Sequence, residues 1–153
     1  MITIDDFSKV EIRIGTVLEA VKVPEADRLI QLIFDFGTLE NEIPDQVRDD
    51  EGEIASQVRN DEDPLTGSGK MNYLPELVEK YPGRDVRQVM SAIAPFIPDP
   101  STLVGKQIAV CVNLEPRTFK GYVSQGMIMA TDNEEGIVLL TPEKPVKPGA
   151  KIH

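Results

Sequence analysis

Short runs of alternating apolar and polar residues are the feature that most restricts the fold of this 153-residue chain. Successive side chains of a strand point to opposite faces, so a period of two predicts strands that are buried on one side. Turns containing Gly and Pro separate the runs, which is typical of an all-β barrel or sandwich. The six predicted strands cover residues 10–23, 29–36, 86–94, 106–113, 127–131 and 137–140.

Details of these runs narrow the prediction to a small barrel. Gly15 interrupts the first run, where a glycine favours a bulge or a bend. A short helical turn is expected at residues 100–104. The pattern fits a five-stranded oligonucleotide/oligosaccharide-binding (OB) barrel with a C-terminal extension, and it fits an SH3-like or other small barrel equally well. The aromatic residues expected in the core are Phe7, Phe34, Phe36 and Phe96.

An acidic segment between the second and third runs departs from the pattern. Residues 38–83 contain four basic and twelve acidic side chains, so they carry −8 of the total charge of −10. Within this segment, residues 46–51 recur as residues 57–62 with one substitution. Residues 39–70 are rich in Asp, Glu, Gly, Ser and Pro and cannot bury enough apolar surface to offset the entropy of ordering. The sequence therefore predicts an acidic, mobile insertion.

A short amphipathic helix is predicted at the end of this insertion. Leu74, Leu77, Val78 and Tyr81 have the spacing of one helical face, and Pro82 follows them. The segments on either side of the insertion, residues 1–37 and 84–153, carry charges of −3 and +1. The total charge therefore does not exclude a nucleic-acid partner, because the barrel itself is nearly neutral.

Composition argues against several functional classes. The only histidine, His153, ends the chain and cannot pair with a Ser or Cys nucleophile inside a fold, and the only cysteine is Cys111. One His and one Cys cannot form the usual zinc site. We therefore expect no catalytic residues, no metal and no cofactor. No run reaches the roughly 18–20 apolar residues that span a bilayer, so we expect a cytoplasmic protein without a membrane partner.

Residues 113–127 carry the most specific motif. They read Asn-Leu-Glu-Pro-Arg, Thr-Phe-Lys-Gly-Tyr-Val and Ser-Gln-Gly-Met. The segment resembles the N-L-x-P-R-x-x-x-G-x-x-S-x-G-M signature of the tRNA-binding domain family. That family includes the C-terminal domain or beta subunit of methionyl-tRNA synthetase and free-standing bacterial tRNA-binding proteins. Further similarity covers roughly residues 1–37 and 84–153, in order, on both sides of the acidic segment.

The resemblance implies one tRNA-binding OB-fold domain over residues 1–153, interrupted by an insertion at about 39–83. It implies a non-catalytic module that is free-standing or that acts in trans as the beta subunit of methionyl-tRNA synthetase. The expected partners are tRNA and a synthetase catalytic subunit. A homodimeric, chaperone-like member of the same superfamily is the alternative, and the run Phe34-Asp35-Phe36-Gly37 slightly favours it.

A homodimer is also implied, because the C-terminal appendix commonly forms a two-fold interface in this family. Residues 137–152 contain four consecutive apolar side chains that such an interface would bury. The same four side chains would otherwise complete the core of a single chain. They are Ile137, Val138, Leu139 and Leu140.

Two cationic loops are expected to converge on one face of the barrel. In OB barrels, nucleic acid is usually held by the loops that join strands one and two and strands four and five. The first loop contains Lys22 and Arg28, and the second contains Arg117 and Lys120. Arg117 suits a bidentate phosphate contact, whereas Lys120 acts as a point charge. Lys22 and Arg28 also fit simple solvated charges.

Other side chains of the motif are candidates for contacts with RNA. Asn113 suits a base edge, and the Ser124 hydroxyl suits a sugar or phosphate. Met127 suits packing against an unstacked base, although a place in the core is the alternative for this residue. Phe119 and Tyr122 are the better candidates for base stacking.

Overall fold

Strands dominate the part of the chain that the structure, a computed structural model, describes. These residues are 1–39 and 73–153. The segment predicted to be mobile, residues 39–70, lies outside the described residues except for residue 39. The helices are α1 (Ile4–Phe7) and α2 (Pro75–Lys80), with 3-10 helices at Ala94–Phe96 and Pro100–Leu103. The strands are β1 (Ile12–Lys22), β2 (Ile30–Thr38), β3 (Arg84–Ser91), β4 (Gln107–Cys111), β5 (Arg117–Phe119), β6 (Tyr122–Ser124), β7 (Met127–Ile128), β8 (Ala130–Asn133) and β9 (Gly136–Leu139).

The chain divides into two compact units. One comprises residues 1–37 and 86–153, and the other comprises residues 38–85. In the second unit, α2 begins at Pro75, whose fixed φ suits a first helical turn, and it buries Leu77. The short helix predicted at the end of the insertion is confirmed. Of the described residues, no helix is both long and apolar enough to cross a membrane.

The larger unit is built on a strongly curled, five-stranded half-barrel sheet with the order β3-β2-β1-β4-β7. The long strand β1 pairs with β4 from Ile12 to Thr16 and with β2 from Thr16 to Lys22, both antiparallel. The first half of β1 thus pairs with β4 and the second half pairs with β2, and the sheet curls around this long strand. The predicted all-β, OB-like fold is confirmed.

The irregularity of β1 does not lie where the sequence placed it. The register between β1 and β2 shifts between Val17 and Glu19, so the bulge, one of the two alternatives predicted at Gly15, lies further along the strand. Gly15 instead leaves room for two aromatic rings. A Cβ atom there would lie 2.7 Å from Cε1 of Phe36 and 2.8 Å from Cδ1 of Phe34.

The core of the larger unit lies on the concave face of the curled sheet. Phe34 and Phe36 are buried as predicted, and their ring centroids lie 5.8 Å apart. The prediction is wrong for Phe7 and Phe96, which are 43% and 48% exposed. Both lie in short helices outside the sheet, so no strand face turns them inward. The most deeply buried members of the core are Val17, Ile30, Leu32, Phe34, Val89, Ile108 and Val110.

The C-terminal hairpin of β8 and β9 divides its apolar residues between two surfaces. Ile137 and Leu139 pack against the core, as expected if they complete a single chain. Val138 and Leu140 remain 41% and 42% exposed. The alternation follows from the strand geometry, which sends neighbouring side chains to opposite faces.

The C-terminal tail pairs with the first half of β1, along the stretch with which β2 does not pair. Gly149 N donates to Ile14 O at 2.7 Å, and Ile14 N donates to Ala150 O at 2.8 Å. Ile152 N then donates to Ile12 O at 2.9 Å. The tail therefore satisfies the backbone groups of β1 that would otherwise form an open edge.

Candidate nucleic-acid interface

The segment predicted as the loop between strands four and five contains a small hairpin. β5 and β6 pair from Arg117↔Ser124 to Phe119↔Tyr122. Lys120, with φ 52°, and Gly121, with φ 88°, form its two-residue turn. Two central residues with positive φ are what a type I′ turn requires. Arg117 therefore lies on a strand, and Lys120 lies at the exposed tip.

A small apolar cluster joins this hairpin to the turn between β1 and β2. Val23 and Ala26 of that turn are buried together with Met90 of β3. Phe119 and Tyr122 of the hairpin pack against them. The two loops predicted to converge are therefore neighbours, and we call the surface that they form the two-loop face.

Four exposed cations lie on the two-loop face: Lys22, Arg28, Arg117 and Lys120. Within the described residues none of them forms an ion pair. The guanidinium carbon of Arg117 lies 5.4 Å from the ring centroid of Phe119, a cation–π contact that orients the guanidinium plane. Within the described residues these four charges are therefore not held in ion pairs, so each can contact an anion.

Asp99 lies close enough to Lys22 for the two charges to interact. Asp99 accepts hydrogen bonds from the Ser101 hydroxyl at 2.7 Å and from Ser101 N at 3.1 Å. These bonds hold the pKa of Asp99 below its usual value, and the positive charge of Lys22 makes a smaller contribution in the same direction. Lys22 therefore lies within electrostatic reach of the 3-10 helix that follows Asp99.

The apolar candidates differ in accessibility. Met127 is 51% exposed at the start of β7, where it pairs with Cys111, so the alternative of a core position for Met127 is wrong. Phe119 and Tyr122 are half-buried because they pack against the small apolar cluster. Each ring has only part of its surface left for a base.

Asn113 directs its amide toward the protein backbone. Its Oδ1 accepts from Glu11 N at 2.9 Å, and its Nδ2 donates to Lys9 O at 2.7 Å. This pair of bonds ties the segment after β4 to the residues before β1. A base contact by Asn113 stays a prediction, and the contacts described here are structural.

Ser124 is also engaged by the protein. It is 5% exposed, its Oγ accepts from Met90 N at 2.9 Å, and its hydroxyl donates to Gly126 O at 3.1 Å. A contact with RNA by Ser124 likewise stays a prediction. The position of Ser124 beside β3 suggests a role in holding the hairpin.

A group of glutamines beneath the hairpin was not predicted from the sequence. Gln31 of β2 donates through Nε2 to Oε1 of Gln88 on β3 at 2.7 Å, and Gln88 and Gln125 are buried. A glutamine in a strand fits either face, so no periodicity marks it as buried. The only sequence signal was the place of Gln125 inside the motif, between Ser124 and Gly126.

No metal site accompanies the two-loop face. In residues 1–39 and 73–153, no group of three or more His, Cys, Asp and Glu residues is placed to hold an ion.

A curled five-stranded sheet of this strand order defines a domain with an OB-like fold. Residues 80–151 match the family model described as "Putative tRNA binding domain". Residues 80–151 therefore belong to the tRNA-binding domain family, as the motif within them indicated.

The curated relatives are much longer than this chain. It is 36% identical over 152 residues to a methionine–tRNA ligase of Parabacteroides distasonis, covering 99% of this chain and 16% of that protein. It is 34% identical over 151 residues to a methionine–tRNA ligase of Thermotoga maritima, with the same two coverages of 99% and 16%. The chain thus spans 16% of the length of these relatives.

Solved structures resemble the chain over its whole length. A MetRS-related protein from Pyrococcus horikoshii matches with a TM-score of 0.65 and 26% identity, covering 100% of this chain and 98% of that one. A CsaA chaperone protein from Picrophilus torridus matches with a TM-score of 0.63 and 22% identity over 100% of both chains. The second likeness concerns the fold alone.

Proposed function

We propose that this chain binds tRNA through the four cations of the two-loop face and has no catalytic role of its own. The observation that carries the proposal is the apolar cluster that packs the β5–β6 hairpin beside the β1–β2 turn. The cluster brings together two cation-bearing segments that lie about ninety residues apart in the chain, which supports a shared surface. The family match over residues 80–151 supports tRNA as the ligand.

The chemistry of the two-loop face favours recognition of shape over sequence. Arg117 offers a planar fork to a phosphate, and Lys120 at the hairpin tip offers a mobile point charge. Few groups on the two-loop face can read base edges, so contacts with the sugar-phosphate backbone of the RNA dominate. Binding should therefore weaken steeply as salt rises, and the total charge of −10 limits the affinity.

We further propose that the protein acts in trans, as the beta subunit of a methionyl-tRNA synthetase in the cytoplasm. The whole of residues 1–153 would then form one tRNA-binding domain, interrupted by the insertion at about 39–83. The two methionine–tRNA ligases, of which this chain matches 16%, support the association. Addition of this protein to a synthetase that lacks the matching segment should raise the rate of aminoacylation at low tRNA concentration, and an unchanged rate would argue against the role in trans.

Arg117→Ala should weaken tRNA binding roughly tenfold, because a charge-assisted contact with phosphate contributes about 1.5–3 kcal/mol. Filter binding with deacylated tRNA at low salt measures the change. Lys147→Ala, at an exposed lysine in the C-terminal tail, is the control and should bind almost normally. Binding of tRNA no tighter than that of duplex DNA would refute the proposed function.

The chaperone-like alternative predicts that the protein protects unfolded proteins and does not bind tRNA. The likeness to CsaA concerns the fold alone, and Phe34 and Phe36, whose run favoured this alternative, are buried. Suppression of the aggregation of an unfolded client, together with absence of tRNA binding, would support the alternative. We therefore place tRNA binding first.

We also propose a homodimer that buries the exposed side of β9. Val138 and Leu140 supply the apolar surface. Sedimentation at micromolar concentration should give twice the mass of one chain, and Val138→Asp should reduce it to one chain because a buried unpaired carboxylate is costly. Val104→Asp, at another exposed valine, is the control and should leave the mass unchanged. A single-chain mass for the unaltered protein would rule out the dimer.

A further inference from the structure

The outer strand β3 has an edge that faces the hairpin rather than another strand of the five-stranded sheet. Backbone N–H groups two residues apart on a strand point to the same side and normally meet carbonyl groups of a neighbouring strand. On β3, side-chain oxygens take that place. Gln125 Oε1 accepts from Gln88 N at 3.0 Å, and Ser124 Oγ accepts from Met90 N at 2.9 Å.

Two reciprocal bonds complete this junction. Gln125 N donates to Gln88 O at 2.7 Å, and Gln88 Nε2 donates to Val123 O at 2.9 Å. The amide of Gln88 is in turn oriented by its bond from Gln31. Three of these four bonds therefore depend on a side chain.

The junction is buried, so its bonds cannot be replaced by water at little cost. Gln125 is 1% exposed, Ser124 is 5% exposed and Gln88 is 8% exposed. Removal of an acceptor would leave a buried N–H group of β3 without a partner, which is costly. Gly126, next in the chain, passes so close to β4 that a Cβ atom would lie 3.1 Å from Cys111 O.

We propose that Gln125 and Ser124 are positioning residues that close the β3 edge onto β6 and thereby hold Arg117 and Lys120 on the two-loop face. The inference rests on the proposed function. A two-stranded hairpin is marginally stable by itself, so its orientation depends on what it is attached to. The Ser-Gln-Gly part of the motif then serves closure of the barrel, and the cations of β5 and its turn serve RNA.

The test is a double-mutant cycle between Gln125→Met and Arg117→Ala, measured by binding of deacylated tRNA. Methionine keeps the approximate size of the side chain but removes the acceptor. Gln125→Met should weaken binding roughly tenfold, and Arg117→Ala should then add less than about threefold, because the two residues act as a coupled pair. A merely structural loss would reduce the folded fraction and leave the effect of Arg117→Ala at its full size.

Gln107→Met is the matched control. Gln107 also forms side-chain bonds with backbone, donating to Val146 O at 2.7 Å and accepting from Val146 N at 2.9 Å, but it holds the C-terminal tail. Its loss should leave tRNA affinity and the effect of Arg117→Ala unchanged. If Gln125→Met fails to fold, Ser124→Ala removes a single acceptor and enters the same cycle.

Amide hydrogen exchange separates failure of this inference from failure of the proposed function. Faster exchange at Gln88 and Met90 in Gln125→Met, together with the loss of the Arg117 effect, supports the positioning role. A full Arg117 effect in Gln125→Met overturns it. If the unaltered protein does not bind tRNA, the proposed function fails. If Gln125→Met leaves amide exchange at Gln88 and Met90 unchanged, the proposed closure of the β3 edge is overturned as well.

Discussion

Neutralising all four cations of the two-loop face should weaken tRNA binding roughly 100-fold near 0.1 M salt, because each phosphate contact releases condensed counterions. The change is to glutamine at Lys22, Arg28, Arg117 and Lys120, which keeps long polar side chains and removes the charge. No ion pair within the described residues competes for these cations, so each of the four charges should contribute to the loss.

The dependence on salt provides the sharper measurement. A plot of log affinity against log salt concentration should become shallower by about three, since each lost contact reduces the slope by roughly 0.7–0.9. The control neutralises four lysines outside the two-loop face and has the same effect on net charge: Lys106, Lys144, Lys147 and Lys151. An equal loss in the control would show that binding follows total charge and would contradict a site on this face.

Gly149→Ala should destabilise the protein by about 3 kcal/mol or more, since it combines backbone strain with a clash. Gly149 has φ 91°, a conformation that L-residues with a side chain rarely adopt. A Cβ atom there would overlap the carbonyl oxygen of Phe36, which belongs to β2 and cannot move without disturbing the sheet. The tail would then lose its bond from Gly149 N to Ile14 O.

Urea unfolding of Gly149→Ala and Gly105→Ala measures the clash separately from the strain. Gly105 has the same φ of 91°, but no atom lies within 4 Å of the position of its Cβ. Its substitution should cost only about 1 kcal/mol, the usual cost of the left-handed conformation. Equal losses in the two variants would show that the tail moves aside freely and that its contact with Phe36 contributes little.

The long strands could be predicted because apolar residues recur at every second position of their sequences. In β2 these residues are Leu32, Phe34 and Phe36, which all lie in the core, although the residues between them are buried as well. The hairpin of β5 and β6 could not be predicted in the same way. Its strands have three residues each, and its inward side chains meet a separate small cluster rather than the main core.

The positions of exposed aromatics and of the bulge show a second limit. Periodicity cannot place Phe7 or Phe96, because short helices outside the sheet remove them from any strand face. A glycine in a strand indicates either a bulge or a close approach. At Gly15 only the rings of Phe34 and Phe36 reveal that the close approach is the reason.

The sequence by itself determined the long strands and the tRNA-binding motif with its cations, because these depend on local periodicity and on one contiguous segment. Only the tertiary structure decided which polar residues of that motif face the protein. Ser124 and Gln125 meet the edge of β3, whereas Arg117 and Lys120 remain exposed. The physical reason is that partners such as Met90 N lie 34 residues away and become neighbours only when the sheet curls.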